Sequence, residues 1–113
     1  MDAKALRKLA LALPEVTEQP HFQYASFRVC GKIFLTVPPD GLHAHVFVPE
    51  LEREQALAIH PEFVEKLMWG KKVAGVRITL ARAPPRAVAH LVRKAWEAKA
   101  PKRLAAAVTD PPA

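Results

Sequence analysis

The stretch from Pro20 to Val37 most constrains the fold, because it predicts two β-strands joined by a tight turn. Phe27 and Val29 alternate with polar residues, which is the period-two pattern of a half-buried strand. The return segment, residues 32–37, is apolar at almost every position, as expected for a central strand. Gly31 can adopt the positive φ that a two-residue turn requires. The stretch therefore predicts an antiparallel hairpin within a sheet.

Length and composition predict one soluble domain in a reducing compartment. A chain of 113 residues suits a single domain, and 50% of the residues are hydrophobic. The one cysteine, Cys30, can form no internal disulfide. No apolar run approaches the roughly 20 residues of a membrane-spanning helix, and the first residues lack the apolar core of a signal peptide. We expect a cytoplasmic protein with one domain over residues 1–108, a frayed tail over 109–113 and no membrane partner.

Positive charge is concentrated in the C-terminal third of the chain. The whole sequence has 17 Lys and Arg against 11 Asp and Glu, a net charge of +6. Residues 82–113 contain seven basic and two acidic residues, so this segment alone has a net charge of +5. Such a segment can attract nucleic-acid phosphates or an acidic protein partner. A solvated helix face would have the same composition.

The sequence outside the hairpin predicts three helices and three further strands. The predicted order is a helix over 2–12, a polar connection over 15–19, the hairpin, a strand over 43–48, a helix over 50–59, strands over 63–69 and 73–80, a helix over 84–99 and one more helical turn over 102–108. The last long helix has the clearest pattern, with apolar residues at 88, 91, 92, 95 and 96 on one face.

This order of elements resembles that of the MmcQ/YjbR family of small bacterial proteins. The similarity lies in residues 13–18, 20–22, 26–29 and 31–34, in the acidic helix at 50–54 and in the last long helix at 88–96, and it covers residues 3–100. The resemblance implies an α+β fold of two layers, α-β(3)-α-β(2)-α, with an antiparallel sheet packed against helices. It also implies DNA binding, by analogy with a double wing, and it supplies no catalytic residue and no cofactor.

One position departs from the family pattern. Family members often have an aromatic residue, commonly tryptophan, at the start of the fifth strand. This chain has residues 73–76, Val-Ala-Gly-Val, at that point, and Trp69 lies several residues earlier. The departure puts in doubt any contact that depends on that aromatic side chain.

Basic residues form the strongest candidate for a binding surface. Arg28 and Lys32 flank one predicted turn, and Lys71 and Lys72 form the tip of another, as two wings contacting phosphates would. The full predicted set is Arg28, Lys32, Lys71, Lys72, Arg77, Arg86, Arg93 and Lys94. There is little aromatic interleaving around these cations, which argues against a stacking surface for single strands. The leading hypothesis is a domain without catalytic activity that binds DNA phosphates with weak sequence preference.

Two other functions are open at this stage. One is a protein-interaction module, chaperone-like or dimeric, that holds a protein partner on the sheet face or on an apolar patch. The predicted layer order is also similar to that of type III secretion chaperones, which bind protein. The other is a small-ligand sensor with a pocket between sheet and helices that includes His21 and Tyr24. The sequence does not distinguish a monomer from a dimer.

Other residues with reactive side chains are too weak as signals to predict a catalytic residue, a metal site or a cofactor. His43 and His45 share a strand face and would need a third ligand, such as His21, His60 or His90, to hold a metal. Cys30 lies between two cations, which would favour a reactive thiol, but a lone turn cysteine is a weak signal. Glu15, Glu18 and His21 could transfer protons. The simpler interpretation is that they form ion pairs with Arg28 or Lys32. The four glycines form no phosphate-binding loop.

Overall fold

The computed structural model describes residues 1–109, with side chains through residue 106, and has the predicted α+β fold with an antiparallel sheet. Its elements are α1 (Ala3–Leu11), β1 (Val16–His21), β2 (Tyr24–Val29), β3 (Lys32–Val37), β4 (His43–Val46), α2 (Glu50–Ile59), β5 (Val64–Trp69), β6 (Lys72–Thr79), a 3-10 helix (Leu80–Arg82), α3 (Pro85–Lys99) and α4 (Lys102–Thr109). The six strands form one sheet in the order β1-β2-β3-β4-β6-β5. Thr109 ends α4, and the rest of the predicted tail lies outside the described residues.

The segment predicted as a polar connection is instead the edge strand β1. Nearly all of its side chains are exposed, so the segment lacks the apolar alternation that marks a half-buried strand. It pairs with β2 along its whole length, from Val16 opposite Val29 to His21 opposite Tyr24. Pro20 is compatible with this position because the outer side of an edge strand has no ladder partner. Four strands, rather than the predicted three, therefore precede α2.

The turn between β2 and β3 has the predicted two-residue form. Cys30 and Gly31 adopt φ values of 49° and 82°, between the paired residues Val29 and Lys32. Positive φ at both turn residues matches the twist of the flanking strands. A bulge follows in β3, and its extra residue, Phe34, is fully buried. The bulge thus adds one aromatic side chain to the core.

Residues that pair across neighbouring strands form rows, and two adjacent rows of this sheet differ in polarity: one is apolar and the other is polar. Phe27, Leu35, Val46 and Val76 form an apolar row on the helix-covered face, and each is at most 1% exposed. The adjacent row has one polar residue from every strand: Gln19, Ser26, Thr36, His45, Arg77 and Glu65. We call these six residues the polar row. Because successive side chains of a strand point to opposite faces, the polar row lies on the face away from the helices, the open face.

The helices complete the core on the other face. α3 buries the five apolar residues of its predicted stripe, and the indole Nε1 of Trp96 donates a hydrogen bond to the Pro14 carbonyl at 3.1 Å. In α1, Leu6 and Ala10 are buried, and the Asp2 carboxylate caps the helix by accepting from the Ala5 N–H. No helix within residues 1–109 is long and apolar enough to cross a membrane.

Antiparallel pairing determines which loops share an end of the sheet. The β2–β3 turn and the β5–β6 turn lie at the same end, because β2, β4 and β5 run toward it while β3 and β6 run away. The segment that follows β4, residues 47–49, reaches this end too, and α2 begins there. The C-terminal end of α3 borders the same segment. The predicted cationic turns are therefore neighbours.

Candidate nucleic-acid interface

Lysines from two hairpins meet at this end of the sheet. Lys32 is the first residue after the β2–β3 turn. Lys71 lies in the β5–β6 turn, and Lys72 is the first residue after it. Since β4 alone separates β3 from β6, the two strands that follow these turns lie about 10 Å apart, which is two strand spacings. Lys99, at the end of α3, borders the same region. We call Lys32, Lys71, Lys72 and Lys99 the cationic end.

Acidic side chains do not neutralise the cationic end. Within the described part of the chain, none of its four lysines forms an ion pair. Two glutamates of α2 have another partner, since Glu50 and Glu54 both contact Arg53. Three of the lysines are exposed, and Lys99 is half-buried. Their ammonium groups are therefore accessible to an external anion.

A groove of about 650 Å³ borders both hairpins at the cationic end. Ile33, Phe47, Trp69 and Val73 line it with apolar surface, and Lys72 and Lys99 add two positive charges. Trp69 and Phe47 contact each other, with ring centroids 5.2 Å apart and planes tilted by 59°. The Trp69 side chain nevertheless remains 63% exposed. The groove thus combines an accessible aromatic ring with cations.

Gly75 allows β4 and β6 to approach closely enough to form this groove. A Cβ atom at position 75 would lie 2.2 Å from the Val46 carbonyl oxygen and 3.0 Å from the Phe47 Cα. Both contacts are with backbone, which cannot move without shifting a strand. The absence of a side chain at Gly75 therefore fixes the position of Phe47 beside β6.

The other predicted basic residues are distributed more widely. Arg28 and Arg77 are half-buried and belong to the open face, with Arg77 in the polar row. Arg86 is exposed in the first turn of α3, at the opposite end of the sheet. Arg93 and Lys94 each contact Glu97 at 3.5 Å. The structure therefore separates Arg86 from the cationic end and pairs Arg93 and Lys94 with an acidic side chain.

The polar row has incomplete hydrogen bonding around Arg77. Arg77 Nη2 lies 3.2 Å from His43 Nδ1, and the same ring nitrogen lies 2.9 Å from Asp40 Oδ2. One ring nitrogen cannot both accept from Arg77 and donate to Asp40. Among the described residues, Arg77 Nε and His45 Nε2 are buried with no hydrogen-bond partner. Arg77 is thus a cation with spare donors in the middle of the open face.

Two groups beside Arg77 have shifted pKa values. Burial lowers the pKa of His45, and the positive charge of Arg77 lowers it further. The hydrogen bond from the Leu42 backbone N–H lowers the pKa of Asp40, and His43 acts in the same direction. The fold therefore favours a neutral His45 and an ionised Asp40.

Acidification is expected to destabilise the protein in two steps. The pKa of His45 is lower in the folded than in the unfolded state, so the unfolded state binds more protons below about pH 6.5 and the free energy of unfolding falls. A second loss follows below about pH 4, because Asp40 is also more acidic in the fold. Thermal melts across this pH range measure both steps.

His45→Gln should remove the first of these steps and leave the second. His90→Gln, which changes an exposed histidine of α3, is the matched control and should keep both. A melting temperature that stays constant between pH 7 and pH 5 in the unmodified protein would contradict the assignment to His45.

His21 and Tyr24 do not form the predicted pocket between sheet and helices. They are register partners at the end of β1 and β2, on the open face. The Tyr24 ring lies 5.9 Å from the ring of His45, and His21 is exposed beside Phe22. A groove of about 460 Å³ lies instead between α2 and α3, toward the end of the sheet opposite the cationic end, where it is lined in part by Ala56 and Leu91. Sensing through His21 and Tyr24 would therefore use the open face.

Among the described residues, those with weaker chemical signals do not converge on one site. His43 and His45 share the open face as predicted, but within residues 1–109 no three His, Cys, Asp or Glu side chains converge as a metal site requires. Cys30 is exposed in its turn. Glu18 forms an ion pair with Arg7 of α1, rather than with the predicted partners on the hairpin.

Comparison with known proteins identifies the family. A family model described as YjbR matches residues 11–98, which is more than half of the chain. The chain belongs to the YjbR family. The YjbR domain is also similar to the crystal structure of the Deinococcus radiodurans protein DR2400, which has a DUF419 domain, with a TM-score of 0.70 and 20% identity over 84% of this chain and 75% of that one. This similarity shows the fold alone, and no curated protein matches the chain.

The aromatic groove of this YjbR domain was missed by sequence reasoning. The expectation that aromatic residues are scarce around the cations is wrong, because Trp69 lies opposite Lys72 and Phe47 contacts Trp69. Counting neighbours along the sequence cannot show that β4 pairs with β6. A usable signal was present, since Trp69 stands two residues before Lys71 in the sequence.

Proposed function

We propose that this YjbR domain binds nucleic acid through phosphates contacted by the cationic end. The observation that carries the proposal is the meeting of lysines from two separate hairpins without ion-pair partners among the described residues. Phosphate backbones bind such cations with release of counterions. Because phosphate contacts carry little sequence information, the proposal includes a weak sequence preference.

Charges on the open face favour binding of a phosphate backbone at the cationic end of the sheet rather than at the middle of the sheet. Arg28 lies next to the β2–β3 turn and extends the positive potential from Lys32. Farther from this end, Asp40 and Glu65 accompany Arg77 and oppose its charge. A phosphate backbone would thus meet the most favourable potential at the two turns.

The exposed apolar side chains give less support to a protein-interaction module. The large ones, Phe22, Leu42, Leu51, Ile59, Met68 and Trp69, are distributed over both ends of the sheet and over α2. Met68 and Trp69 are adjacent in β5, and adjacent residues of a strand point to opposite faces. The described surface therefore favours the phosphate-binding proposal.

The dependence of affinity on salt tests the proposal. Fluorescence anisotropy of a labelled random-sequence duplex, titrated with the protein, gives the affinity at 50 and 200 mM salt. Three phosphate contacts, one for each exposed lysine of the cationic end, predict a slope of about −2.7 when the logarithm of the affinity is plotted against the logarithm of the salt concentration. The affinity should then fall about 40-fold between these two concentrations. Absence of binding at tens of micromolar protein in the lower salt would overturn the proposal.

A further inference from the structure

We infer that the nucleic acid bound at the cationic end is an unpaired strand, one base of which stacks on the indole of Trp69. The inference rests on the proposed function and adds to it the class of nucleic acid and the residue that selects it. Phosphate contacts alone would not distinguish a duplex from a single strand.

The first support is that Trp69 is held in place and yet accessible. Phe47 supports the indole at a tilt of 59°, so the two rings do not cover each other face to face. Trp69 remains 63% exposed, whereas Trp96 is fully buried. A tryptophan side chain offers one of the largest apolar surfaces in a protein, and leaving it in water is unfavourable unless a partner covers it.

The second support is the charge around the indole. Lys72 is the register partner of Trp69 across the β5–β6 hairpin, and Lys71 occupies the turn between them. Lys99 lines the same groove as Trp69. A base on the indole would therefore have its flanking phosphates beside ammonium groups, which is the combination found in proteins that bind single strands.

Unpaired bases fit this arrangement better than paired ones. In a duplex the faces of the bases are covered by their neighbours in the stack, so only the backbone and the base edges are accessible. In a single strand each base can turn its face outward onto an aromatic side chain. Selection by Trp69 thus follows from the accessibility of the base face.

Intrinsic fluorescence gives a direct test, because the chain has two tryptophans and the second is buried. Addition of a thymidine oligonucleotide should quench the Trp69 emission and leave that of Trp96. Inorganic polyphosphate, which has the charge of the backbone but no bases, should compete for binding without this quenching. Equal quenching by polyphosphate would show that charge rather than stacking is responsible, and would overturn the inference.

Variants of Trp69 separate stacking from the proposed function. Trp69→Ala should weaken single-strand binding by about tenfold and leave duplex binding within about twofold, while Trp69→Phe should retain most of the single-strand affinity. Phe22→Ala is the matched control, because it removes an exposed aromatic ring from a hairpin at the opposite end of the sheet. The buried Trp96 reports in every variant whether the fold is intact.

The outcomes distinguish the two proposals. A preference of the unmodified protein for the single strand that Trp69→Ala abolishes supports the inference. Equal affinity for both forms, or a preference that survives Trp69→Ala, overturns the inference and leaves the proposed function standing. Failure of both forms to bind would overturn the proposed function itself.

Discussion

Replacing Lys71 and Lys72 with glutamate is expected to weaken nucleic-acid binding at least about tenfold and to make the salt slope shallower by about two. The double variant removes two of the four lysines of the cationic end and puts repulsive charges at the same turn. Both residues are exposed, so the free energy of unfolding should change little. Anisotropy titrations at several salt concentrations measure both effects.

Arg82→Glu combined with Arg86→Glu is the matched control for this variant. It makes the same change in net charge, and both arginines are exposed at the opposite end of the sheet. We expect a loss of affinity well below that of the lysine variant. Equal losses from both double variants would show that net charge alone, and not the cationic end, determines binding.

Replacing Gly75 with alanine is expected to destabilise the fold by about 3 kcal/mol, because the new Cβ overlaps backbone atoms. The Val46 carbonyl oxygen would lie 2.2 Å from this Cβ and the Phe47 Cα 3.0 Å from it. Relief requires that β4 and β6 move apart, which would also displace Phe47 from Trp69. Urea unfolding monitored by circular dichroism measures the loss.

Gly70→Ala is the control, because it replaces a glycine at a position where the new Cβ would overlap no other atom. Gly70 has a φ of 61° in the β5–β6 turn, and no atom lies within 4 Å of the position that its Cβ would occupy. Its replacement should cost about 1 kcal/mol through backbone strain alone. If Gly75→Ala cost no more than Gly70→Ala, the account of close approach between β4 and β6 would be incorrect.

Local patterns predicted most of the fold. The helix over 85–99 has apolar periodicity, and both it and the helix over 50–59 have proline at or just before the first turn; the bounds of both agree with the structure to within a residue. The turn at Cys30 and Gly31 was predictable from Gly31, which adopts positive φ without steric cost. These features depend on residues that are neighbours in the chain.

Strand β1 and the candidate site were harder to predict because they depend on distant pairing. An edge strand exposed on both sides, such as residues 16–21, has no apolar alternation to reveal it. The partnership of Phe47 and Trp69 follows from the order β4-β6-β5, which no local pattern specifies. Lys32 and Lys71 lie at the same end of the sheet because β2 and β5 run in the same direction. The sequence showed that both lysines are at turns, but not that the two turns are neighbours.

Mapping of backbone amide shifts tests the central claim most directly. Nuclear magnetic resonance spectra of the ¹⁵N-labelled protein would be recorded while an unlabelled oligonucleotide is added. We expect the largest shift changes in the two turns and the groove between them, at residues 30–33, 47–49, 69–74 and 98–100. Largest changes in the groove between α2 and α3, or in the β1–β2 turn, would contradict this claim.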